Sequence, residues 1–505
     1  MPSLAIILLT IGLCLSGGFQ QGYIASVLNQ PYVFIQQFVN ETIQERFGVV
    51  PEENVLNVIW SSLNIMFPIA SIFGQFFAAW MCKKFGRKVT AIITCVLYVP
   101  GTLLCSLSYY IRSFELLFLG RLLWSLSNGI NAVNVTVWIV ECAPTGMRGG
   151  AAALQEFSMA AGSVLCQAVG IPFTNATDWP FVFLPNIPIV VFSAIMFALV
   201  PDSPVSILQR ERDETKARAA LARYYGVPES NALVVDEINA RSKSLVSIDS
   251  IPEDDASARS DEHLVETSRK RKGIMWIFNP WATISERESV IRWAAWLGVV
   301  VKIAYVFTGA RCLRSYSTYV MHGMAHFSLD QALYGSFIIG LLRIPATLIP
   351  VLLVDKLGRR PLLLSSTAIS VLAIGAMMAA ILIGEDLKIL TFVAFCVLLV
   401  ANGAGLGSIS RFYAAELVPR SLLIDAVSIL AGLEAFAKIV VEFLFYPIGN
   451  VIGAWTLLVF LVPTVAFLIF MWATCPESSG KDVYEVLDDI AQNKKLAVRF
   501  ENSKA

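Results

Sequence analysis

The sequence predicts an all-α polytopic membrane protein of twelve transmembrane helices in two six-helix bundles. Three observations predict it. Of 505 residues, 56% are hydrophobic and 15% charged, against about 45–50% and about 25% in soluble domains. Twelve apolar runs have close to the ~20 residues that cross a bilayer. The polar loops between those runs repeat from one half of the chain to the other.

The runs lie at about 4–28, 55–81, 90–108, 114–138, 150–172, 180–200, 292–321, 332–354, 361–383, 389–413, 422–446 and 454–474. The first, "LAIILLTIGLCLSGG", has the length of a signal-peptide core. No charged segment precedes it, and its apolar pattern runs on through Tyr23 to Val27, so a retained helix is expected. The layout divides into a first bundle at 1–200, a cytosolic linker at 201–290, a second bundle at 291–475 and a tail at 476–505. The linker opens with "QRERDETKARAALARYYG", which reads as one charged amphipathic helix. The Ser/Asp-rich stretch "SKSLVSIDSIPEDDASARSDEH" after it reads as a flexible connector. "SRKRKG" (268–273) then reads as a membrane-adjacent anchor.

Lys and Arg cluster in "KKFGRK" (83–88), in the linker, in "DKLGRRP" (355–361) and in the tail. The positive-inside rule puts these segments, and both termini, in the cytosol. A formal net charge of zero gives no bias toward nucleic acid. The nine cysteines are scattered without a CxxC pair, so neither a disulfide framework nor a zinc site is expected. His322 and His326 have helical spacing but no third ligand, so no metal is expected. No Walker loop, zincin helix or nucleophile elbow occurs, which argues against ATP-driven transport, catalysis and any cofactor. The remaining partners are a small-molecule substrate and the lipid bilayer. The oligomeric state is open. "NET" at Asn40 is a glycosylation acceptor in an expected outer loop.

The loop repeats are paired. "KKFGRK" follows the second run and "DKLGRR" the eighth. "VECAPTGMRG" follows the fourth and "AAELVPRS" the tenth. "PDSP" follows the sixth and "PESSG" the twelfth. A parallel repeat of this kind implies two bundles about an axis along the membrane normal, with a site between them near the midplane. These motifs, with "FQQGY" (19–23), "FVNETI", the stretch from "LGRLLWSLSNG" to "LCQAVG", "WP" at Trp179 and "YST" at Tyr316, resemble the sugar porter branch of the major facilitator superfamily, which includes the GLUT facilitators. The resemblance covers nearly the whole chain. It implies alternating-access transport, most directly facilitated uniport of a sugar, at the plasma membrane. It further implies that loop arginines pair with glutamates to lock a cytosolic gate. That network is Arg87, Arg121, Arg148 and Glu141 in the first half, and Arg359, Arg420 and Glu416 in the second.

The substrate positions depart from the family. Gln20, Gln21 and Gln167 supply amides in the first half, but Glu156 stands where the family has a glutamine. In the seventh span, Arg311 takes the place of an asparagine, and Arg314 follows one turn later. Arg343 replaces an asparagine in the eighth span, and Arg411 a tryptophan in the tenth. Asp425, Glu434, Lys438 and Glu442 add charge in the eleventh. Intramembrane charges face a cavity or bundle interior and pair with one another. Three readings stay open: a sugar facilitator with an unusual site, a transporter of an organic anion or zwitterion, and a non-transporting sensor on the same fold. Ile24 stands where proton-linked relatives carry an aspartate, which points to uniport.

Overall fold

The computed structural model describes residues 3–143, 148–239, 285–479, 481, 483–494, 496 and 500. Each expected span is helical, because a backbone in lipid must satisfy its own hydrogen bonds. In the first half the spans are Leu4–Ser26, the run Glu53–Tyr110, Phe114–Cys142, Arg148–Phe173 and Trp179–Leu199. The run Glu53–Tyr110 holds two spans, joined where Gly86 takes φ 84° and ψ 174°. In the second half the helices are Glu286–Phe307, Leu329–Leu357, Arg359–Ile383, Lys388–Ala404 with Leu406–Leu417, Arg420–Ile452 and Leu458–Thr474. The described residues contain no strand. Phe76, Leu372 and Trp472 are among the exposed apolar side chains on these helices, as lipid-facing positions require.

The chain divides into two compact units, Met1–Asp254 and Asp255–Ala505. In the first unit, Trp124, Trp138 and Trp179 are fully buried. The first and fifth spans touch backbone to backbone. A Cβ on Gly22 would sit 1.9 Å from the Met159 carbonyl oxygen, and one on Gly162 2.2 Å from that of Phe19. In the second unit, the seventh, ninth, tenth and twelfth spans share a core that includes Ala294, Leu363, Tyr413 and Met471. The tail helix Val483–Asn493 adds Leu487 and Ile490 to it.

Two local expectations are corrected. Residues 209–226 are not one helix: the helix Pro204–Arg210 stops short of Arg212 (φ 53°), and a second helix spans Glu214–Tyr225. Asp213 starts the second helix by accepting from the backbone N–H groups of Thr215 and Lys216, each at 3.0 Å. This is ordinary N-capping. The segment holding Asn40 is a helix, Tyr32–Phe47, rather than a loop. Gln44 donates to the Asn40 Oδ1 at 2.8 Å, and the buried Thr42 hydroxyl donates to the Phe38 carbonyl at 2.7 Å. The connector at 242–263 and the basic run at 268–273 lie outside the described residues.

Candidate functional site

Each unit carries the same polar constellation around a glycine turn. In the first, Gly86 has φ 84°, a conformation that disfavours side chains. The turn aims the N-terminus of the third span at Asp202, whose Oδ1 accepts from the N–H groups of Arg87 (3.1 Å) and Lys88 (3.0 Å). The Arg87 guanidinium then reaches Glu141 through two bonds, Nε to Oε2 at 3.1 Å and Nη2 to Oε1 at 2.7 Å. Such a fork is the strongest ordinary side-chain contact. Ser203 donates its hydroxyl to the same carboxylate. Lys88 Nζ donates to the Ala198 carbonyl at 2.9 Å, at the C-terminal end of the sixth span, where a cation is favoured.

The second unit repeats this with its own residues. Gly358 has φ 85°. Glu477 accepts from the N–H groups of Arg359 (2.8 Å) and Arg360 (3.0 Å). Arg359 Nη2 reaches Glu416 Oε1 at 3.4 Å, and Ser478 donates to Glu416 Oε2 at 2.6 Å. Arg360 Nη2 donates to the Trp472 carbonyl at 2.8 Å, near the end of the twelfth span.

Arg121 is not part of the first network, which corrects the sequence expectation. It lies twenty residues before Glu141 on one continuous helix, about 30 Å along its axis. There it is buried and donates from Nη1 to the Ile24 carbonyl at 2.8 Å. The side chains of Arg148, Arg420, Arg411 and Asp425 lie outside the described residues. Sequence reasoning missed Asp202 and Glu477 as caps and Ser203 and Ser478 as carboxylate donors. The repeated "PDSP" and "PESSG" were the available signal.

The candidate substrate residues fall in both units. In the first, Gln20 and Gln167 are buried, and the amide atoms of neither have a hydrogen-bond partner among the described residues. A buried polar group left unmatched costs about 1–3 kcal/mol. Gln21 and Glu156 are half-buried.

In the second unit the charges form a stripe. Glu434, Lys438 and Glu442 are spaced by four on the eleventh span and so share one face. Glu434 Oε2 accepts from Lys302 Nζ at 2.8 Å, and Lys438 donates to Glu434 Oε1. Lys438 Nζ also lies 5.5 Å from the centre of the Tyr305 ring. The seventh span breaks at Gly309 (φ 69°), where a Cβ would sit 2.7 Å from the Phe460 ring. Thr464 donates to the freed Phe307 carbonyl at 2.9 Å, and Asn402 donates to Thr308 Oγ1 at 2.8 Å. The helix resumes as Ala310–Ser315. Arg311 Nε there donates to Glu442 Oε1 at 3.1 Å. Arg314 and Arg343 are half-buried and form no ion pair among the described residues. Lys302 was not read from the sequence, although a lone lysine in "LGVVVKIAYVF" was the same kind of signal as the arginines.

The model of the "Sugar (and other) transporter" family matches residues 9–489. The chain belongs to the sugar transporter family. Mouse solute carrier family 2, facilitated glucose transporter member 7, is 26% identical over 99% of this chain and 92% of its own length. Human facilitated glucose transporter member 3 is 24% identical over 93% and 89%. Among solved structures, the inward-open xylose transporter XylE from E. coli aligns with a TM-score of 0.74 at 17% identity, covering 96% of this chain and 99% of that one. A XylE complex with 6-bromo-6-deoxy-D-glucose aligns at 0.67 and 18% identity, covering 96% and 99%. The transporter is therefore a multi-pass membrane protein of the twelve-span fold that moves a small solute across the bilayer. Its loop networks occupy equivalent places in the two halves.

Proposed function

We propose that this transporter carries a sugar or polyol by facilitated diffusion through alternating access at the plasma membrane, with both termini cytosolic, and that it performs no catalysis. The observation that carries the reading is the doubled Gly–Arg–Glu–Ser network, one copy per unit, each with its own capping carboxylate. Charge-assisted contacts of this sort contribute about 1.5–3 kcal/mol each. They suit a latch that must hold one state and release it in another. In this reading Arg87 with Glu141, and Arg359 with Glu416, are the gating pairs, joined by Arg148 and Arg420. Arg121 steadies the first span through the Ile24 carbonyl. That partner takes up no proton, which supports uniport over proton symport.

Substrate contacts are proposed at Gln20, Gln21, Glu156 and Gln167 in the first unit and at Arg311, Arg314, Arg343 and Arg411 in the second. The unmatched amides of Gln20 and Gln167 suit hydroxyl groups, which both donate and accept. Glycosylation at Asn40 has to precede closure of the helix over Thr42, and a mobility shift on glycosidase treatment tests it. The function itself is tested by uptake of labelled hexoses and polyols into proteoliposomes holding the purified chain. Saturable uptake of at least one of them is expected. Uptake no faster than in protein-free vesicles, for every sugar and polyol, overturns the proposal.

A further inference from the structure

We infer that the second unit binds an acidic group, so that the transported sugar carries an oxyanion, a carboxylate or a phosphate. This rests on the sugar-transport reading above and narrows its substrate class.

Cations outnumber carboxylates among the described side chains of the stripe. Among the described side chains, Lys302, Arg311, Arg314, Arg343 and Lys438 are cationic, while Glu434 and Glu442 are the carboxylates that meet them. Both lysines converge on Glu434. Glu442 is engaged by Arg311 through Nε alone, which leaves both terminal amino groups of that guanidinium without an acceptor among the described residues. Arg314 lies within electrostatic reach of Arg343, Arg311, Tyr305 and Glu442, and Arg343 within reach of Tyr305 and Arg311. All three guanidinium groups therefore lie within electrostatic reach of Tyr305, and the described carboxylates that act on them are Glu442, on Arg311 and Arg314, and Glu434, on Arg311. The Tyr305 hydroxyl has no hydrogen-bond partner among the described residues either.

A guanidinium near the centre of a membrane span costs about 2.5–3.5 kcal/mol on insertion scales. If these charges served only to tie helices together, each would be matched, as Lys302 and Lys438 are by Glu434. The excess instead marks a place where a negative group is to be met. Guanidinium forks bind carboxylate and phosphate oxygens through paired N–H bonds, whereas a neutral hexose would leave those donors and their charge uncompensated. The free phenol beside them can meet a sugar hydroxyl.

The test uses the purified full-length chain. Thermal-shift titrations compare D-glucose with D-glucuronate and D-gluconate, which carry a carboxylate, and with D-glucose 6-phosphate, which carries a phosphate. Uptake of the same solutes is measured in proteoliposomes clamped at set membrane potentials. At least one acidic sugar should bind about tenfold more tightly than glucose, and its uptake should rise when the interior is made positive. The carboxylate and phosphate arms show which oxyanion the site takes. Arg314→Gln and Arg343→Gln should each weaken that acid's binding about tenfold, and Arg314→Lys should restore part of it. Acidic sugars that bind no better than glucose, or an acid affinity untouched by Arg314→Gln, overturn the inference. If glucose is carried while the acids neither bind nor move, the inference fails and facilitated sugar transport stands. If neither class moves, both fail. Should the variants not fold, the comparison of acidic and neutral sugars on the unaltered chain decides alone.

Discussion

Glu442→Gln isolates the contact that holds the broken seventh span against the eleventh. The substitution keeps the shape of the side chain and removes its charge. Glu442 is only 7% exposed. Its carboxylate takes Arg311 at 3.1 Å, and its backbone carbonyl takes the Tyr316 hydroxyl at 3.1 Å. Removing one partner of a buried ion pair costs about 3–5 kcal/mol, because the other charge stays behind uncompensated. The Arg311 side chain is 23% exposed and can recruit water, so the low end applies, about 3 kcal/mol. Arg314 and Arg343 form no ion pair among the described residues, and the other described carboxylate within electrostatic reach of Arg311, Glu434, is already held by Lys302 and Lys438. The double variant Arg311→Gln with Glu442→Gln removes both charges and should recover about 2 kcal/mol relative to the sum of the single variants. The assay is a double-mutant cycle from denaturant unfolding of detergent-purified protein. Additive effects, or a Glu442→Gln variant within about 0.5 kcal/mol of the parent, would refute the reasoning.

Other expectations follow from the loop networks and the first span. Glu477→Ala leaves the N–H groups of Arg359 and Arg360 without their acceptor. It should destabilise the second unit by about 0.5–2 kcal/mol, read as a lower unfolding midpoint. Gly86→Ala puts a Cβ 2.3 Å from Asp202 Oδ2 on a backbone with φ 84°. It should therefore reduce the yield of folded protein by more than Asp202→Ala does, as measured by size-exclusion chromatography. Because Arg121 meets a backbone carbonyl at Ile24, substrate uptake should be the same with and without an inward proton gradient. Uptake abolished by a protonophore would show coupling through another group.

The fold was legible because its signals are long. Twelve apolar runs and three pairs of repeated loops state the span count and the duplication without reference to any contact. The loop networks were half legible. Arg87, Glu141, Arg359 and Glu416 could be read from repeated motifs, and each arginine does reach its glutamate. The capping roles of Asp202 and Glu477 depend on where Gly86 and Gly358 turn the backbone, which residue spacing does not state. Arg121 was misplaced because a motif match carries no depth, and depth along the fourth span separates it from Glu141. Lys302 went unread because its partner, Glu434, is 132 residues away. Whether an intramembrane arginine is matched is likewise a matter of geometry. Arg311 has Glu442, while Arg314 has no ion-pair partner among the described residues.

Solute counterflow tests the central claim of alternating access most directly. Proteoliposomes are preloaded with a high concentration of unlabelled substrate, and entry of a labelled trace is followed over time. The account predicts a transient overshoot of label for the parent chain. It also predicts a much slower rise for Glu416→Lys, which places a cation against Arg359 while leaving the substrate residues in place. Label that only equilibrates with no overshoot in the parent, or an undiminished rate in Glu416→Lys, would contradict it.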